Sequence, residues 1–523
     1  SRFNGTTSMA IDADPWNGVI TPQVIAKNNW WGDNSGPTTP GNPNGRGQSI
    51  RGNVIYDPWV GKFLDPVVII PGMLGSADKN GSWVIDPIFH TYDDLIDTLR
   101  ANGYTDNTNL FTFPYDWRES NITTALWLEN KIAQVKQICN CNKVDLIAHS
   151  MGGLVARQYI QSNRYNDDVD QLIFLGTPHL GAPKAYLMWE GGESDTDIFD
   201  KSIKFLISRE ARHAGYNNLF DYLRNRPIQS VEELLPIFDY IRNKDTGSVN
   251  NYPNQYPQNI FLEILASTFN NLLNSGVRLT NIAGDNGLSD TIRYLRLTSS
   301  TMSGLWIDGY PDGYYEKIGD RGLERSTGDG TVPNVSATNN NGLQSATINA
   351  KHVKLPTEGE TEVVRTLLGR DPITTIKTRL NIDTKLLFLK LLSPIDVQIT
   401  APDGKRIGKD FQTGGELNEI PDAFYSGYLT DDEYVTIPNP LDGEYKVYTE
   451  GTDNGGQYTV SVGYIGDTTT AEHDFVAQTA PGVVTELSLD IASTTPTPIR
   501  LTATDVTPPT IFVISPTTTI TRA

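Results

Sequence analysis

The stretch from Val144 to Ile160, "VDLIAHSMGGLVARQYI", places a serine between a strand-like run and a helix-like run. Ser150 is the centre of a small-x-Ser-x-Gly pattern in which Ala148 and Gly152 are the small residues. A tight strand-to-helix turn strains the backbone of its central residue, and small residues two positions away avoid clashes. The stretch therefore predicts a nucleophile elbow at Ser150. The alternative is a serine that caps a helix in an ordinary turn.

The chain around this turn alternates between short apolar runs and amphipathic segments. Strands are predicted at 67–70, 110–113, 144–148, 171–176, 279–284 and 294–298, and helices at 92–103, 122–138 and 154–161. The second helix is expected to bury one face made of Ile122, Leu126, Ile132, Val135 and Ile138. Alternation of this kind is typical of a buried, mostly parallel sheet, which predicts an α/β fold over 61–380.

Between 183 and about 275 the alternation stops, and the sequence there predicts a helical lid inserted after a strand. Helices are expected at 199–208 and 230–241, the second with Ser230 and Glu233 in capping-box spacing. The apolar runs at 185–189, 205–207 and 234–238 suit contact with an acyl tail.

The two flanks look different from the centre. Residues 1–60 resemble the closing rung of secreted right-handed parallel β-helix proteins, through Asn29, Trp30, Trp31, Gly32, Gly36, Pro37, Pro58 and Trp59. Residues 381–500 contain short alternating runs between turn signals, which predicts an immunoglobulin-like β-sandwich. Residues 501–523 are interpreted as a linker or the start of a further module.

The composition limits the partners. The formal charge is −20, so nucleic acid and anionic membranes are not expected as partners, while neutral lipids or esters remain suitable. No apolar run is long enough to span a membrane, and the absence of an initial Met suggests a mature product or a fragment. The spacing of Cys139 and Cys141 rarely makes a good disulfide, which predicts two structural thiols.

A serine nucleophile needs a histidine base, and the fold expected here places it after the serine and the acid in the chain. The six histidines are His90, His149, His179, His213, His352 and His473. The first two precede Ser150, His179 follows the next strand too early, His213 falls in the lid and His473 in the sandwich. His352 remains as the candidate base; the alternative is a histidine in a surface loop.

The acid is expected in a loop after a strand, between the serine and the histidine. Asp329, flanked by glycines in "STGDGTVPN", is the candidate, and Asp285 is its competitor. The alternative for Asp329 is a plain turn or a calcium loop, although further calcium ligands are missing. Backbone N–H groups of Met73, in the loop after the strand at 67–70, and of Met151 are expected to form an oxyanion hole. The alternative for the first is that Pro71-Gly72 is merely a turn.

Six motifs occur in one order: "PGMLGS" (71–76), "FPYDWRES" (113–120), "AHSMGGLVAR" (148–157), "GTPHLGAP" (176–183), "GDGTVP" (328–333) and His352. This order resembles the lecithin:cholesterol acyltransferase-like family of α/β-hydrolases over about 61–375. The resemblance implies Ser150, Asp329 and His352 as a catalytic triad. It also implies that Asp116, Trp117 and Arg118 shape the pocket; the alternative is a buried ion pair beside a packed Trp. Ala148 departs from the glycine common in the family.

The function expected is a secreted or surface-located serine ester hydrolase without metal or cofactor, which contacts lipid interfaces through its lid. Hydrolysis and acyl transfer to an alcohol both remain open, and no obligate protein partner is indicated. A non-catalytic adhesion module with a degenerate hydrolase domain is the main alternative. An amidase or peptidase with the same triad is a further one.

Overall fold

The computed structural model describes residues 10–13, 23–27, 29–33, 36–43, 45–56, 64–225, 228–299, 304–316, 319–338, 343, 345–378, 385–392, 394–430, 432–466, 469–493 and 499–504. Two compact units are each discontinuous in sequence. The first contains Ser1–Ser76, His90–Gly191 and Ile228–Arg379, and the second contains Ala77–Phe89, Gly192–Pro227 and Leu380–Ala523. The predicted domain boundaries remain predictions.

The strands of the described residues are, in chain order, β1 Ile11–Ala13, β2 Val24–Ile25, β3 Pro37–Thr38, β4 Gly47–Gly52, β5 Val54–Ile55, β6 Val67–Ile70, β7 Ser76–Lys79, β8 Ser82–Ile85, β9 Leu110–Thr112, β10 Val144–His149, β11 Val169–Leu175, β12 Ile241–Asn243, β13 Arg278–Gly284, β14 Thr291–Thr298, β15 Tyr310–Pro311, β16 Leu323–Ser326, β17 Ser345–Ile348, β18 Lys385–Leu392, β19 Ile395–Thr400, β20 Arg406–Lys409, β21 Glu416–Asn418, β22 Phe424–Tyr425, β23 Asp432–Pro438, β24 Gly443–Gly451, β25 Gly456–Gly466, β26 Thr470–Thr479, β27 Val484–Ile491 and β28 Ile499–Thr504. The α-helices are α1 Asp93–Ala101, α2 Asn121–Cys139, α3 Gly152–Gln161, α4 Lys184–Gly191, α5 Ile198–His213, α6 Leu219–Asn225, α7 Gln229–Glu232, α8 Ile260–Ser267, α9 Phe269–Leu273, α10 Asn334–Ala337, α11 Leu355–Glu358 and α12 Glu360–Leu368.

A six-stranded sheet in the order β17-β13-β11-β10-β6-β9 forms the centre of the first unit, and all its pairings are parallel. Every residue of β6 and β10 is buried, which explains why β6 is an uninterrupted apolar run and β10 is mostly apolar. The predicted α/β-hydrolase fold class with a mostly parallel sheet is confirmed. The carboxyl ends of β6, β10 and β13 meet at one edge of this sheet, because parallel strands share their direction.

The segment between β11 and β13 is largely helical, as predicted, but α7 covers only Gln229–Glu232. The helix expected over 230–241 is therefore wrong beyond its first turn. Glu233 accepts hydrogen bonds from Ser120 Oγ at 2.5 Å and from Asn121 N at 2.7 Å. This carboxylate thus caps the beginning of α2 instead of its own helix, which the local spacing could not reveal.

Helix α2 forms where it was predicted, but its buried face differs from the prediction. Thr124, Ala125, Leu128, Ile132 and Val135 are buried, whereas Ile122, Leu126 and Ile138 are exposed. The two faces have similar apolar content, so packing against the sheet and α3 selected between them.

The prediction of two free structural thiols at Cys139 and Cys141 is wrong. Cys139 and Cys141 form a disulfide, and the described residues contain no free cysteine. Asn140, between them, has a positive φ of 51° at the C-terminal cap of α2. This turn brings the two Cα atoms to 5.3 Å, which is within the range of disulfide geometry.

The N-terminal residues form small sheets, β1-β4-β3 and β2-β5, with parallel pairings. Ala26, Trp31 and Ile50 are buried together in a small apolar cluster. A β-helix rung remains a prediction for this segment. Pro58 and Trp59, two of the residues on which it was based, lie outside the described residues.

The second unit contains a five-stranded antiparallel sheet, β22-β23-β18-β25-β26, and a six-stranded one, β21-β20-β19-β24-β27-β28. The two sheets share one apolar core. An immunoglobulin-like topology remains a prediction. β28 extends to Thr504, past the expected start of a linker at 501, and residues 505–523 lie outside the description.

Helix α5, expected to be part of the lid, belongs to this second unit. Phe205 packs against Phe388 of β18, with 5.5 Å between the ring centroids, and a Cβ at Gly463 would lie 2.6 Å from its ring. Arg209 forms ion pairs with Glu472 and Asp474 of β26. Phe205 is therefore a core residue of the second unit, and its proposed contact with an acyl tail is wrong.

We expect Phe205→Ala to destabilise the second unit by about 3–5 kcal/mol, because it leaves a cavity between α5 and the sheet. Urea unfolding followed by intrinsic fluorescence measures the change. Val476→Ala is the control, because Val476 is 53% exposed on β26 and its truncation removes little buried area. Equal stability of the two variants would contradict the assignment of α5 to this core.

Candidate active site

Ser150 lies between β10 and α3 with a φ of 55°, a left-handed conformation that is strained for a residue with a side chain. Its backbone N–H donates to Leu175 O at 2.9 Å, which ties the turn to the neighbouring strand β11. A Cβ at Gly152 would lie 2.5 Å from Pro71 O, so only glycine fits there. The turn therefore has the geometry predicted for a nucleophile elbow, and the fully buried Ala148 satisfies its first small position.

The structure brings the three predicted triad residues together. His352 Nε2 lies 2.8 Å from Ser150 Oγ, and His352 Nδ1 lies 2.7 Å from Asp329 Oδ2. With Nδ1–H donated to the carboxylate, Nε2 is free to accept the serine proton. The three side chains thus form one continuous hydrogen-bonded chain.

The Asp329 carboxylate is held by its own loop. Its second oxygen, Oδ1, accepts from Thr331 N at 2.9 Å and from Val332 N at 2.7 Å. In addition, His352 N donates to Asp329 O at 2.8 Å, which joins the backbones of the two loops. The geometry selects Asp329 over its competitor, because Asp285 Oδ2 accepts from Asn334 Nδ2.

The loop after β6 lies directly against the nucleophile. A Cβ at Gly72 would be 2.7 Å from Ser150 Cβ, so glycine allows this close approach. Met73 follows Gly72, and Met151 begins the turn into α3 with its side chain fully buried. Their role as oxyanion donors remains a prediction, supported by the position of the loop.

A buried polar chain that sequence reasoning missed connects this loop to the histidine loop. Gly72 N–H donates to Tyr92 OH at 3.0 Å, and Tyr92 OH lies 2.7 Å from His149 Nδ1. His149 Nε2 in turn lies 3.1 Å from His352 O. Since the Tyr92 oxygen accepts from Gly72, its hydrogen can be donated to His149 Nδ1, which leaves Nε2–H for the His352 carbonyl.

His149 suits this chain only as a neutral ring. It is 4% exposed, and burial together with the nearby His352 holds its pKa well below the ordinary value. A neutral imidazole has one donor and one acceptor nitrogen, which matches its two partners. The residue before the nucleophile, excluded as a base by chain order, therefore links the two loops on either side of Ser150.

The "PYDWR" segment contributes in a way that was only partly expected. Asp116 and Arg118 form an ion pair at 3.1 Å, and the Arg118 guanidinium lies 5.3 Å from the centre of the Trp117 ring. Trp117 is buried. The packed Trp117 agrees with the structural alternative, but the ion pair is partly exposed instead of buried, and a pocket role for these three residues remains a prediction. Tyr115 was missed: its hydroxyl donates to Pro71 O at 2.8 Å and thus supports the loop beside Ser150.

A second buried node joins α3 to the following segments. Arg157 donates to His179 O at 3.1 Å, to Leu265 O at 2.9 Å and to Gln161 Oε1 at 3.0 Å. Burial lowers the pKa of Arg157 to about 9. The "GTPHLG" segment and α8 are thereby attached to the helix that follows the nucleophile.

Metal ligands were not expected. Among the described residues, Asp195, Asp197 and Asp200 place carboxylate oxygens within 4.8 Å of one another. This cluster belongs to the second compact unit. Acidic clusters of this kind are common without an ion, and the cluster carries no assignment.

The sequence model described as lecithin:cholesterol acyltransferase matches residues 80–264, which include Ser150. This part of the chain is therefore similar to the lecithin:cholesterol acyltransferase-like family. This match ends before Asp329 and His352, whose placement beside Ser150 comes from the structure. The flanking β-rich segments lie outside the match.

Two Arabidopsis thaliana relatives of this acyltransferase-like domain share part of its sequence. Phospholipase A(1) LCAT3 is 29% identical over 25% of this chain and 32% of its own length. Lecithin-cholesterol acyltransferase-like 4 is 28% identical over 24% of this chain and 26% of its own length. The chain thus spans about a third or less of the curated relatives that it matches.

Among solved structures, the Bacillus licheniformis lipase BlEst2 in propeptide form is 15% identical. The match covers 82% of this chain and 94% of that one, with a TM-score of 0.32. A similarity at this level carries no argument about activity. Within the part of the chain that the structure describes, no helix is long and apolar enough to cross a membrane.

We expect Tyr92→Phe to lower kcat for an ester substrate about tenfold with little change in KM, because it leaves Gly72 N–H and His149 without their buried partner. Initial rates with a p-nitrophenyl ester over a range of concentrations measure both constants. Tyr159→Phe is the matched control, since it removes another buried hydroxyl, bonded to Asp168 at 2.7 Å, from the far end of α3. An unchanged kcat for Tyr92→Phe would show that the chain does not position the site.

Proposed function

We propose that the chain is a serine carboxylic ester hydrolase that acts on a neutral lipid or ester through an acyl-enzyme on Ser150. The single observation that carries this proposal is the hydrogen-bonded chain from Ser150 Oγ through His352 to Asp329. The similarity of residues 80–264 to the lecithin:cholesterol acyltransferase model supports a lipid substrate. The phospholipase and acyltransferase names of the relatives support the same class.

In this mechanism His352 Nε2 takes the proton of Ser150 while Oγ attacks the acyl carbonyl. Asp329 holds the imidazole in the required orientation and stabilises its cation. The His352 cation then donates the proton to the leaving alkoxide, and the acyl-enzyme forms. Water, activated by the same imidazole, attacks the acyl carbon and releases the acid.

The negative charge of each tetrahedral intermediate requires preorganised donors. We assign this role to the backbone N–H groups of Met73 and Met151. The close approach of Gly72 to Ser150 supports the first. The second follows from the position of Met151 directly after the nucleophile, at the beginning of α3. Each donor of this kind contributes about 10²–10³-fold to the rate.

The acyl tail is assigned to the apolar residues beside α3. Leu234 and Ile237, from the predicted lid, pack against a buried cluster that contains Leu154, Phe261 and Leu265. Leu154 lies one helical turn after Ser150. Helix α8 also exposes Ile260 and Ile264, which supports contact with a lipid interface beside this cluster.

An extracellular or cell-surface location is also part of the proposal. The Cys139–Cys141 disulfide supports it, because disulfides persist in oxidising compartments. The alternative of a non-catalytic adhesion module requires a degenerate site. The complete hydrogen-bonded chain at Ser150 disfavours that alternative. Release of the acyl group to an alcohol instead of water remains open.

Ser150→Ala is expected to abolish labelling by a fluorophosphonate probe and to lower ester turnover by about 10³-fold or more. Ser162→Ala is the matched control, because Ser162 lies at the other end of α3 and its hydroxyl bonds only locally, to Tyr159 O at 2.8 Å and from Arg164 N at 3.2 Å. Circular dichroism checks that both variants fold. Probe labelling that survives in Ser150→Ala would end the proposal.

The acid is tested separately. We expect Asp329→Asn to reduce turnover by about 10³–10⁴-fold, because the amide does not stabilise the imidazolium. Asp285→Asn, at the competing position, is expected to retain most activity. The reverse result would reassign the acid. A panel of acyl lengths and headgroups, with and without an alcohol acceptor, then distinguishes hydrolysis from acyl transfer.

A further inference from the structure

Four polar side chains meet between the two antiparallel sheets of the second unit. Asp396 on β19 and Lys409 on β20 come from one sheet, and Tyr425 on β22 and Glu433 on β23 come from the other. Lys409 Nζ donates to Asp396 Oδ2, and Tyr425 OH donates to Glu433 Oε2 at 2.8 Å. Glu433 also shares a hydrogen bond with Asp396.

The two carboxyl groups of this cluster are almost closed to water, whereas the Lys409 side chain is 21% exposed. Asp396 is 5% exposed and Glu433 2%. Tyr425, which donates to Glu433, and Val435, two residues further along β23, belong to the core shared by the two sheets. The Lys409 ammonium lies 5.2 Å from the centre of the Tyr428 ring. Charges in such a place are costly unless they are paired or neutralised.

An ion pair between Lys409 and Asp396 accounts for two of the three ionisable groups but not for Glu433. Burial raises the pKa of Glu433 to about 9, and its hydrogen bond with Asp396 adds to the rise. At neutral pH, Glu433 is therefore a buried carboxylic acid whose proton faces a second carboxyl group. The Lys409–Asp396 ion pair does not involve this proton, whereas a condensation reaction requires a proton donor.

We propose that Lys409 and Asp396 join through an intramolecular isopeptide bond, with Glu433 as the group that transfers protons. The nucleophilic nitrogen, the carboxyl carbon and the acid are held in contact by β20, β19 and β23. A reaction between held groups gains the rate advantage of proximity, because no encounter is needed. This site is independent of the proposed ester hydrolysis.

The reaction is a condensation that balances without a co-reactant. Burial is the largest single effect on the pKa of Lys409 and lowers it, but the hydrogen bond and the charge of Asp396, with smaller effects of Glu450 and Glu433, together raise the pKa above the ordinary value. Because only a neutral amine can attack, the ammonium proton must first pass to Asp396, which leaves a neutral amine and a neutral acid. The nitrogen lone pair then attacks Asp396 Cγ, and Glu433 donates its proton to a carboxyl oxygen of the intermediate.

The C–O bond then breaks and water leaves, while the nitrogen returns a proton to Glu433. One amide forms, one water is released, and Glu433 ends protonated as it began. The product also removes the electrostatic cost of the cluster, because a neutral amide replaces the ammonium and the carboxylate. The bond would close the hairpin between β19 and β20 covalently.

Intact mass spectrometry of the denatured full chain is the first test. The Cys139–Cys141 disulfide is reduced beforehand, so that it does not affect the mass. We expect a mass one water below that of the sequence, and a tryptic cross-linked species that contains Asp396 and Lys409. A chain with the full sequence mass and free Lys409 peptides would overturn the proposal.

Two variants identify the groups. Lys409→Arg keeps the positive charge and the pairing but lacks a nucleophilic amine, so we expect a folded chain with the full mass. Glu433→Gln keeps a neutral hydrogen-bonding group without the transferable proton, and we expect loss of the cross-link. Circular dichroism before mass analysis verifies that each variant folds.

Matched controls come from the same hairpin and its neighbour. We expect the missing water to persist in Lys405→Arg, which alters the exposed Lys405–Asp403 pair. It should also persist in Glu450→Gln, which removes the other carboxylate near Lys409, 3.9 Å away. A missing water that also persists in Lys409→Arg would indicate a succinimide at Asp403-Gly404 and would refute the isopeptide bond.

Discussion

The left-handed backbone of Ser150 is the constraint on which the rest of the hydrolase domain depends. Strain of this kind persists only where the surroundings over-determine it. Here the N–H bond to Leu175 O fixes the turn against β11, and the absence of a side chain at Gly152 lets α3 begin directly over Pro71. The result is a hydroxyl raised above the sheet edge, where His352 reaches it.

Three segments distant in sequence must hold their positions around that hydroxyl. The histidine and acid loops are joined by side-chain and backbone hydrogen bonds between His352 and Asp329. The loop after β6 is joined to the histidine loop through Tyr92 and His149. Because each buried polar group in this chain has its partner, displacement of one loop would leave costly unpaired groups in the others. We interpret the network as the source of preorganisation at the site.

The second unit differs from the hydrolase domain in its buried ionisable groups. Its sheets pack through apolar side chains, yet Asp396 and Glu433 are buried there, and the partly exposed Lys409 donates to Asp396. Around Ser150 the polar groups are hydrogen-bonded and stay as they are. The isopeptide bond proposed between Lys409 and Asp396 is a neutral amide. Its formation removes the free-energy cost of keeping two opposite charges away from water.

The sequence determined the parts of the protein that depend on local pattern and chain order. Short apolar runs marked the buried parallel strands, and small-x-Ser-x-Gly marked the elbow, because a strained turn tolerates few residue types. Order along the chain, together with the predicted lid and sandwich, selected His352 among six histidines. These inferences succeeded because each requirement acts within a few residues or through topology.

Tertiary structure alone decided the features in which distant groups meet. The choice of Asp329 over Asp285, the Tyr92–His149 link and the use of Glu233 to cap α2 all join residues far apart in sequence. The buried face of α2 was likewise set by what packs against it. Helix α5 became part of the second unit because Phe205 packs against Phe388 and Gly463 of the five-stranded sheet. A hydrogen bond or a packed ring requires a partner that is close in space. The spacing of residues in the sequence does not identify this partner when it lies far away along the chain.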